Sequence, residues 1–213
     1  MADEPVWRGA AMVRIGFIVE GDTEKIIIES AVFKEWARAQ GLDVCTPVID
    51  AKGGGNLLPQ NIVPMVNQLR QNNPDHIVIL TDLEEEPSEA TVRQRIGTSH
   101  TSLIFIAVKA IEAWFLADSV ALKKWLDVEQ IFEEKPEQTI GLPWIRLKEV
   151  ALSFKKQGPG SSKPGFAKRM VERYGFSIAN AAQHPACPSA KRFHDGLIGL
   201  GQIAVANLPP SDS

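Results

Sequence analysis

Two apolar stretches of this chain run directly into acids, and a third into a lysine with an acid just beyond. Glu20 follows Met12-Val-Arg-Ile-Gly-Phe-Ile-Val19, and Asp82 follows His76-Ile-Val-Ile-Leu-Thr81, with Glu84 two residues on. Ser102-Leu-Ile-Phe-Ile-Ala-Val108 runs into Lys109, with Glu112 three residues further. Continuous rather than alternating apolar character marks strands covered on both faces, as in a parallel sheet. All carboxyl ends of such strands lie along one rim, where ligands gather. Carboxylates crowded there repel one another unless a cation neutralises them. Hard oxygen donors with no His or Cys among them suit Mg²⁺ or Mn²⁺ rather than zinc. A divalent ion held in this way activates water and stabilises the charge that builds on a phosphate.

The elements that must position these acids alternate. Strands over 12–19, 44–49, 76–81 and 102–108 are separated by helical stretches, which predicts right-handed βαβ units and an α/β fold with a parallel sheet of about four strands flanked by helices. Glu20-Gly21-Asp22-Thr23-Glu24 is the turn into a helix from about Thr23 to Ala39. Gly21 permits the turn, and Asp22 or Thr23 caps the helix. Glu24 either joins the site or only favours the positive end of the helix. Asn56 is the expected N-cap of a helix to Arg70, with Pro64 as a kink. An acidic loop over 82–87 precedes a helix to Ile96, and Glu85, Glu86 and Glu89 read as solvated. Helices follow over 111–117 and 119–126. Asp118 lies about 240° round a helix from Glu112, so it reads as the cap of the next helix. Beyond 127 the chain turns helical, with helices over 142–155, 165–174 and 189–200 and a flexible Gly/Ser joint over 158–165.

The composition is that of a globular protein: 213 residues, 44% apolar and 23% charged. No apolar run reaches the roughly 18 residues of a membrane span, and the N-terminus has no signal-peptide pattern. The two cysteines, Cys45 and Cys187, cannot form a disulfide framework, so the expected location is a reducing cytoplasm. The net charge of −3 hides an asymmetry: residues 1–140 hold 13 Lys+Arg against 22 Asp+Glu, and residues 141–213 hold 10 against 4. An acidic half beside a basic one suits a cation site next to an anion-binding surface, and equally a plain intramolecular charge complement. The expected organisation is a flexible leader over 1–11, with Met12 an alternative start, an α/β core over 12–127, a helical extension packed on it over 128–207, and a disordered tail over 208–213.

Other chemistries lack their residues. There is no Gly-x-Gly-x-x-Gly after the first strand, no Walker A motif and no Gly-x-Ser-x-Gly elbow. His184, Cys187 and His194 have no finger spacing and no fourth ligand, so Cys187 reads as a small core residue. Trp36, Trp114 and Trp125 read as core, and Tyr174 lies away from the strand ends. The loop at Ser161-Ser162-Lys163 reads either as a linker or as a phosphate cradle.

Strand–Glu20-Gly21-x-Thr23-Glu24–helix, followed by strand–Asp82-x-Glu84, resembles a TOPRIM domain, the metal-binding module of topoisomerases, primases and the overcoming-lysogenization-defect (OLD) type nucleases. That family's usual Asp-x-Asp appears here with the longer Glu84 as its second acid. Ile106-Ala-Val-Lys-Ala-Ile-Glu-Ala-Trp-Phe-Leu-Ala-Asp118 and Ala186-Cys-Pro-Ser-Ala-x-x-Phe193 resemble stretches of a TOPRIM-like family of small prokaryotic proteins, several of which sit beside an ATPase. The resemblance covers roughly residues 13–200. It implies a Mg²⁺- or Mn²⁺-dependent nuclease acting on DNA or RNA, in prokaryotic (phage) defence or DNA repair, with an ATPase partner. It implies metal ligands at Glu20, Asp82 and Glu84, with Glu112 for a second ion, and adds Lys163 as a catalytic candidate at the scissile phosphate. Glu20 is either a ligand or the general base. The basic half would meet nucleic acid through Lys155, Lys156, Lys163, Lys168 and Arg169. The alternatives are a non-catalytic docking or regulatory subunit of an ATPase complex and a small RNA-maturing ribonuclease.

Overall fold

The computed structural model describes residues 12–99, 101 and 103–206. The expected leader, the expected tail from 208, Trp7 and Ser102 lie outside the described residues. Within them the chain is α/β, with a wholly parallel five-stranded sheet. The strands are β1 (Val13–Val19), β2 (Leu42–Val44), β3 (Ile49–Asp50), β4 (His76–Asp82) and β5 (Leu103–Ala107). Their order is β2-β1-β4-β5, and β3 also pairs with β1. The single strand expected over 44–49 is in fact two pieces: β2 pairs with Val13–Ile15 at the start of β1, and β3 with Ile18 and Val19 at its end. Five strands therefore fill four positions, and both β3 and β1 end beside the rim.

Alternation along each strand sends side chains to two helical layers. Ile18, Ile77, Ile79, Ile104 and Ile106 face α3 (Pro59–Arg70) and α4 (Glu89–Ile96), where Ile62, Val66, Leu69, Val92 and Ile96 complete a core. Ile15, Phe17, Val19, Val78, Leu80 and Phe105 face the opposite layer. That layer contains α1 (Asp22–Glu29), α2 (Ala31–Ala39), α5 (Glu112–Ala117), α6 (Ser119–Leu126) and the helices of the C-terminal half: α7 (Pro143–Ser153), α8 (Lys163–Glu172), α9 (Ile178–Ala182) and α10 (Pro188–Ala206). The C-terminal half is thus packed on the core and supplies much of one of its layers. Phe193 of α10 lies among Phe17, Phe33, Phe105 and Trp114, with ring centroids 5.1–6.4 Å away. Among the described residues no helix is long and apolar enough to cross a membrane.

Two local expectations are corrected. The helix over 23–39 is two helices, because Ser30 takes an extended conformation and its hydroxyl caps α2 by accepting the Phe33 amide. Asn56 does not cap α3; its side-chain amide donates to the Ala51 carbonyl at 2.8 Å, and α3 begins at Pro59. Pro64 is accommodated inside α3.

Candidate active site

The rim gathers Glu20, Glu24, Asp82, Glu84, Glu112 and Lys163 around an open cleft of about 400 Å³. Glu20 follows β1, and its Oε2 accepts the hydroxyl of Thr81 and the backbone amide of Asp82, the latter at 3.0 Å. Two neighbouring strand ends are thereby tied through the acid itself. Asp82 Oδ1 accepts the Ile111 amide at 2.9 Å, which fixes the turn that delivers Glu112 at the start of α5. Glu84 sits at φ 50° and Lys109 at φ 63°, and the Glu84 amide donates to the Lys109 carbonyl at 2.8 Å. The Lys109 ammonium turns away to the carbonyls of Thr139 and Gly141.

Glu24 serves both roles left open by the sequence. It caps α1, accepting the Gly21 amide at 3.1 Å. It is also 4% exposed and lines the cleft. Burial, with Glu20 and Glu112 nearby, pushes its carboxyl up to about 7. Burial and the charges of Glu24, Glu112 and Glu20 hold Asp82 well above the ordinary carboxylate range. Burial and Glu20 also raise Glu84, against the pull of Arg95 and Lys163. Glu112 is 2% exposed; its Oε1 lies 3.0 Å from Lys163 Nζ and its Oε2 has no partner among the described residues. Burial alone would lower the Lys163 ammonium, but Glu112, Asp82 and Glu24 outweigh it and raise it.

Neighbouring acids that raise Glu24, Asp82 and Glu84, and a buried carboxylate oxygen without a partner among the described residues, fit a divalent cation in donor chemistry. The arrangement is not closed around one point: among the described residues no three His, Cys, Asp or Glu side chains stand in ligating geometry. Glu20, Glu24, Asp82 and Glu112 are each engaged by hydrogen bonds or by Lys163.

The sequence reading missed part of the site. Lys52, at φ 61°, bridges Asp50 at 2.6 Å and Asp22 at 3.1 Å on the cleft wall. These hydrogen bonds raise the lysine and lower Asp22. The strand-end rule that singled out Glu20 applies equally to Asp50, but a two-residue strand is too short to see in a sequence. Glu86 and Glu89, read as solvated, pair with Arg95 and with Arg93 and Arg192.

The basic half is less open than its composition. The joint over 158–165 is anchored: Arg169 donates to the Pro159 carbonyl at 2.6 Å and to Gly165 at 3.2 Å, and Lys163 to Gly165 are already the first turn of α8. Arg169 therefore holds the loop that presents Lys163. Lys156 pairs with Asp127 and Lys168 weakly with Glu172, while Lys155 has no ion-pair partner among the described residues. Asp118 caps α6 through the Val120 and Ala121 amides and reaches Ser177 at 2.9 Å. Cys187 is buried against Glu137, and His184 bonds the Glu133 carbonyl. A larger depression of about 590 Å³, between α1–α2 and α8, is lined chiefly by Ile26, Val32 and Val171 and has no such acidic cluster. Comparison of the chain with protein-family models, curated proteins and solved structures returns no match.

Proposed function

We propose that this is a TOPRIM-like, Mg²⁺- or Mn²⁺-dependent hydrolase of nucleic-acid phosphodiester bonds. The observation that carries the reading is the convergence of Glu20, Asp82, Glu84 and the buried Glu112 on one rim, with Lys163 beside them. Glu20, Asp82 and the free oxygen of Glu112 would hold the ion, with Glu84 at the exposed edge. When bound, the ion supplies a polarised water and charge stabilisation at phosphorus. The chain's own residues do the rest. Glu20, oriented by Thr81 and the Asp82 amide, takes the proton of the attacking water if it is not itself a ligand. The water oxygen, its proton passing to Glu20 or to bulk water, bonds to phosphorus as the bond to the leaving sugar oxygen breaks, and that oxygen takes a proton from solvent. Lys163, half-exposed at the cleft mouth, faces the non-bridging oxygens as negative charge builds on them. Lys155 and Lys168 offer contacts to the flanking backbone phosphates.

The exposed apolar side chains of Phe132, Ile140, Leu142, Ile145 and Leu152 favour a second reading, a docking subunit of a larger complex such as one with an ATPase. Incubating the chain with single- and double-stranded DNA and RNA, in Mg²⁺, Mn²⁺ and EDTA, separates the two. Cleavage that requires metal supports hydrolysis. No cleavage, alone or with an ATPase partner and ATP, supports docking.

A further inference from the structure

The Phe115 and Phe166 rings meet edge to face at 5.8 Å. Phe115 lies three residues after Glu112 on α5, and Phe166 three residues after Lys163 on α8. The same packing that joins the two helices therefore sets the carboxylate and the ammonium opposite each other, one turn towards the cleft. Phe166 is fully buried and also packs on Trp125 and Trp144. The first turn of α8 is capped by Ser162, whose hydroxyl accepts the Gly165 amide at 3.0 Å, and Arg169 ties down the loop before it. Lys163 thus comes from a fixed base, not from a mobile loop.

Glu112 is 2% exposed, and a buried carboxylate without a counter-charge is strongly disfavoured. Lys163 provides that charge at Oε1 only; Oε2 remains buried and, among the described residues, without a partner. A carboxylate split in this way has one oxygen for a resident cation and one for an arriving one. A divalent ion seeking Oε1 would have to displace an ammonium already 3.0 Å away, or stand against its charge.

We infer that Lys163 is a built-in second cation of the cleft, holding the position on Glu112 that a second divalent ion would take, so that the chain binds one Mg²⁺ or Mn²⁺ ion rather than two. This rests on the reading of the cleft as a divalent-cation site. The lysine neutralises one side of Glu112, and Glu112 Oε2, with Glu20 and Asp82 closing on it, would hold the single ion. The chain then hydrolyses its substrate with one metal ion and one fixed ammonium.

The test is a Mn²⁺ titration of the full chain, read by calorimetric stoichiometry and by the paramagnetic resonance of bound manganese. Wild type should take one ion per chain. Lys163→Met and Lys163→Gln should take two and give the signal of a coupled manganese pair. Lys163→Arg should return to one. Because the Lys163 side chain is 44% exposed, these variants keep the fold, and circular dichroism verifies it. Two ions in wild type, or one ion in all four proteins, would overturn this inference and leave the cation site standing. No binding in any of them would overturn both.

Discussion

Glu20 and Asp82 lie at the ends of adjacent parallel strands, and the carboxylate of the first accepts the backbone amide of the second at 3.0 Å. The β1–β4 register, with Val19 opposite Leu80, places them there. The acid is therefore positioned by the strand it does not belong to. A Glu20→Gln side chain retains an oxygen that can accept both the Thr81 hydroxyl and this amide. It removes the charge while leaving the rim in place, which makes it a cleaner probe than truncation to alanine.

The Glu112–Lys163 pair should be visible in stability. Lys163→Met leaves a buried carboxylate without its counter-charge and should lower unfolding free energy by about 1 kcal/mol, a figure reduced from that of a fully buried pair because the ammonium is 44% exposed. Glu112→Gln relieves repulsion within the acid cluster and should be close to neutral. In the Glu112→Gln/Lys163→Met double variant the loss should disappear. Urea unfolding of the four proteins forms the cycle.

Without metal, the chain should be more stable in mild acid than in mild base. The folded state binds the Glu24 and Asp82 protons more tightly than the unfolded state does. Their contribution is therefore full below the ordinary carboxylate pKa and is lost as pH rises through about 7 for Glu24. The Glu24 part is on the order of 3 kcal/mol. Thermal melts in EDTA across this range should show the decline, Glu24→Gln should flatten it, and Mg²⁺ should offset it on the alkaline side.

Much of this site was legible because an acid at the end of an apolar run is a local signal. Glu20 and Asp82 each have one, Glu112 follows its run by four residues, and the structure sets all three along the same cleft. The partnership of Glu112 with Lys163 has no local signal, since it depends on α5 packing against α8 through Phe115 and Phe166. Lys52 was hidden by the brevity of β3. The break at Ser30 was hidden because Ile27 and Phe33 continue a helical apolar pattern across it. Arg169 looked like a phosphate contact because composition shows its charge but not the carbonyls that already hold it.

Nucleic-acid affinity should fall with salt. Lys155→Ala and Lys168→Ala should each reduce the slope of log affinity against log salt by about one. Arg169→Ala should act differently, lowering stability by about 1 kcal/mol as the loop before α8 loses its two carbonyl bonds. Fluorescence anisotropy at several salt concentrations, beside a thermal melt, separates the two behaviours.

Gly201 tests the role of the C-terminal half in the fold. A Cβ there would fall 1.9 Å from the Gln40 carbonyl oxygen, which is backbone and cannot swing aside. Gly201→Ala should destabilise the chain by about 2–3 kcal/mol, pushing α10 off the sheet edge. A shift in the urea midpoint measures it.

If the rim carboxylates run a metal-dependent hydrolysis, cleavage of labelled DNA and RNA by wild type, beside Glu20→Gln and Asp82→Asn in Mg²⁺, reads it. Wild type should cleave in Mg²⁺ and stop in EDTA. Both variants should melt at or above the wild-type temperature without metal, because each removes a charge from the acid cluster. Both should lose at least about 100-fold in rate, since each removes an interaction worth several kcal/mol to the barrier. Metal-dependent cleavage by both folded variants at the wild-type rate would contradict the account, because the reaction would then not take place at this rim.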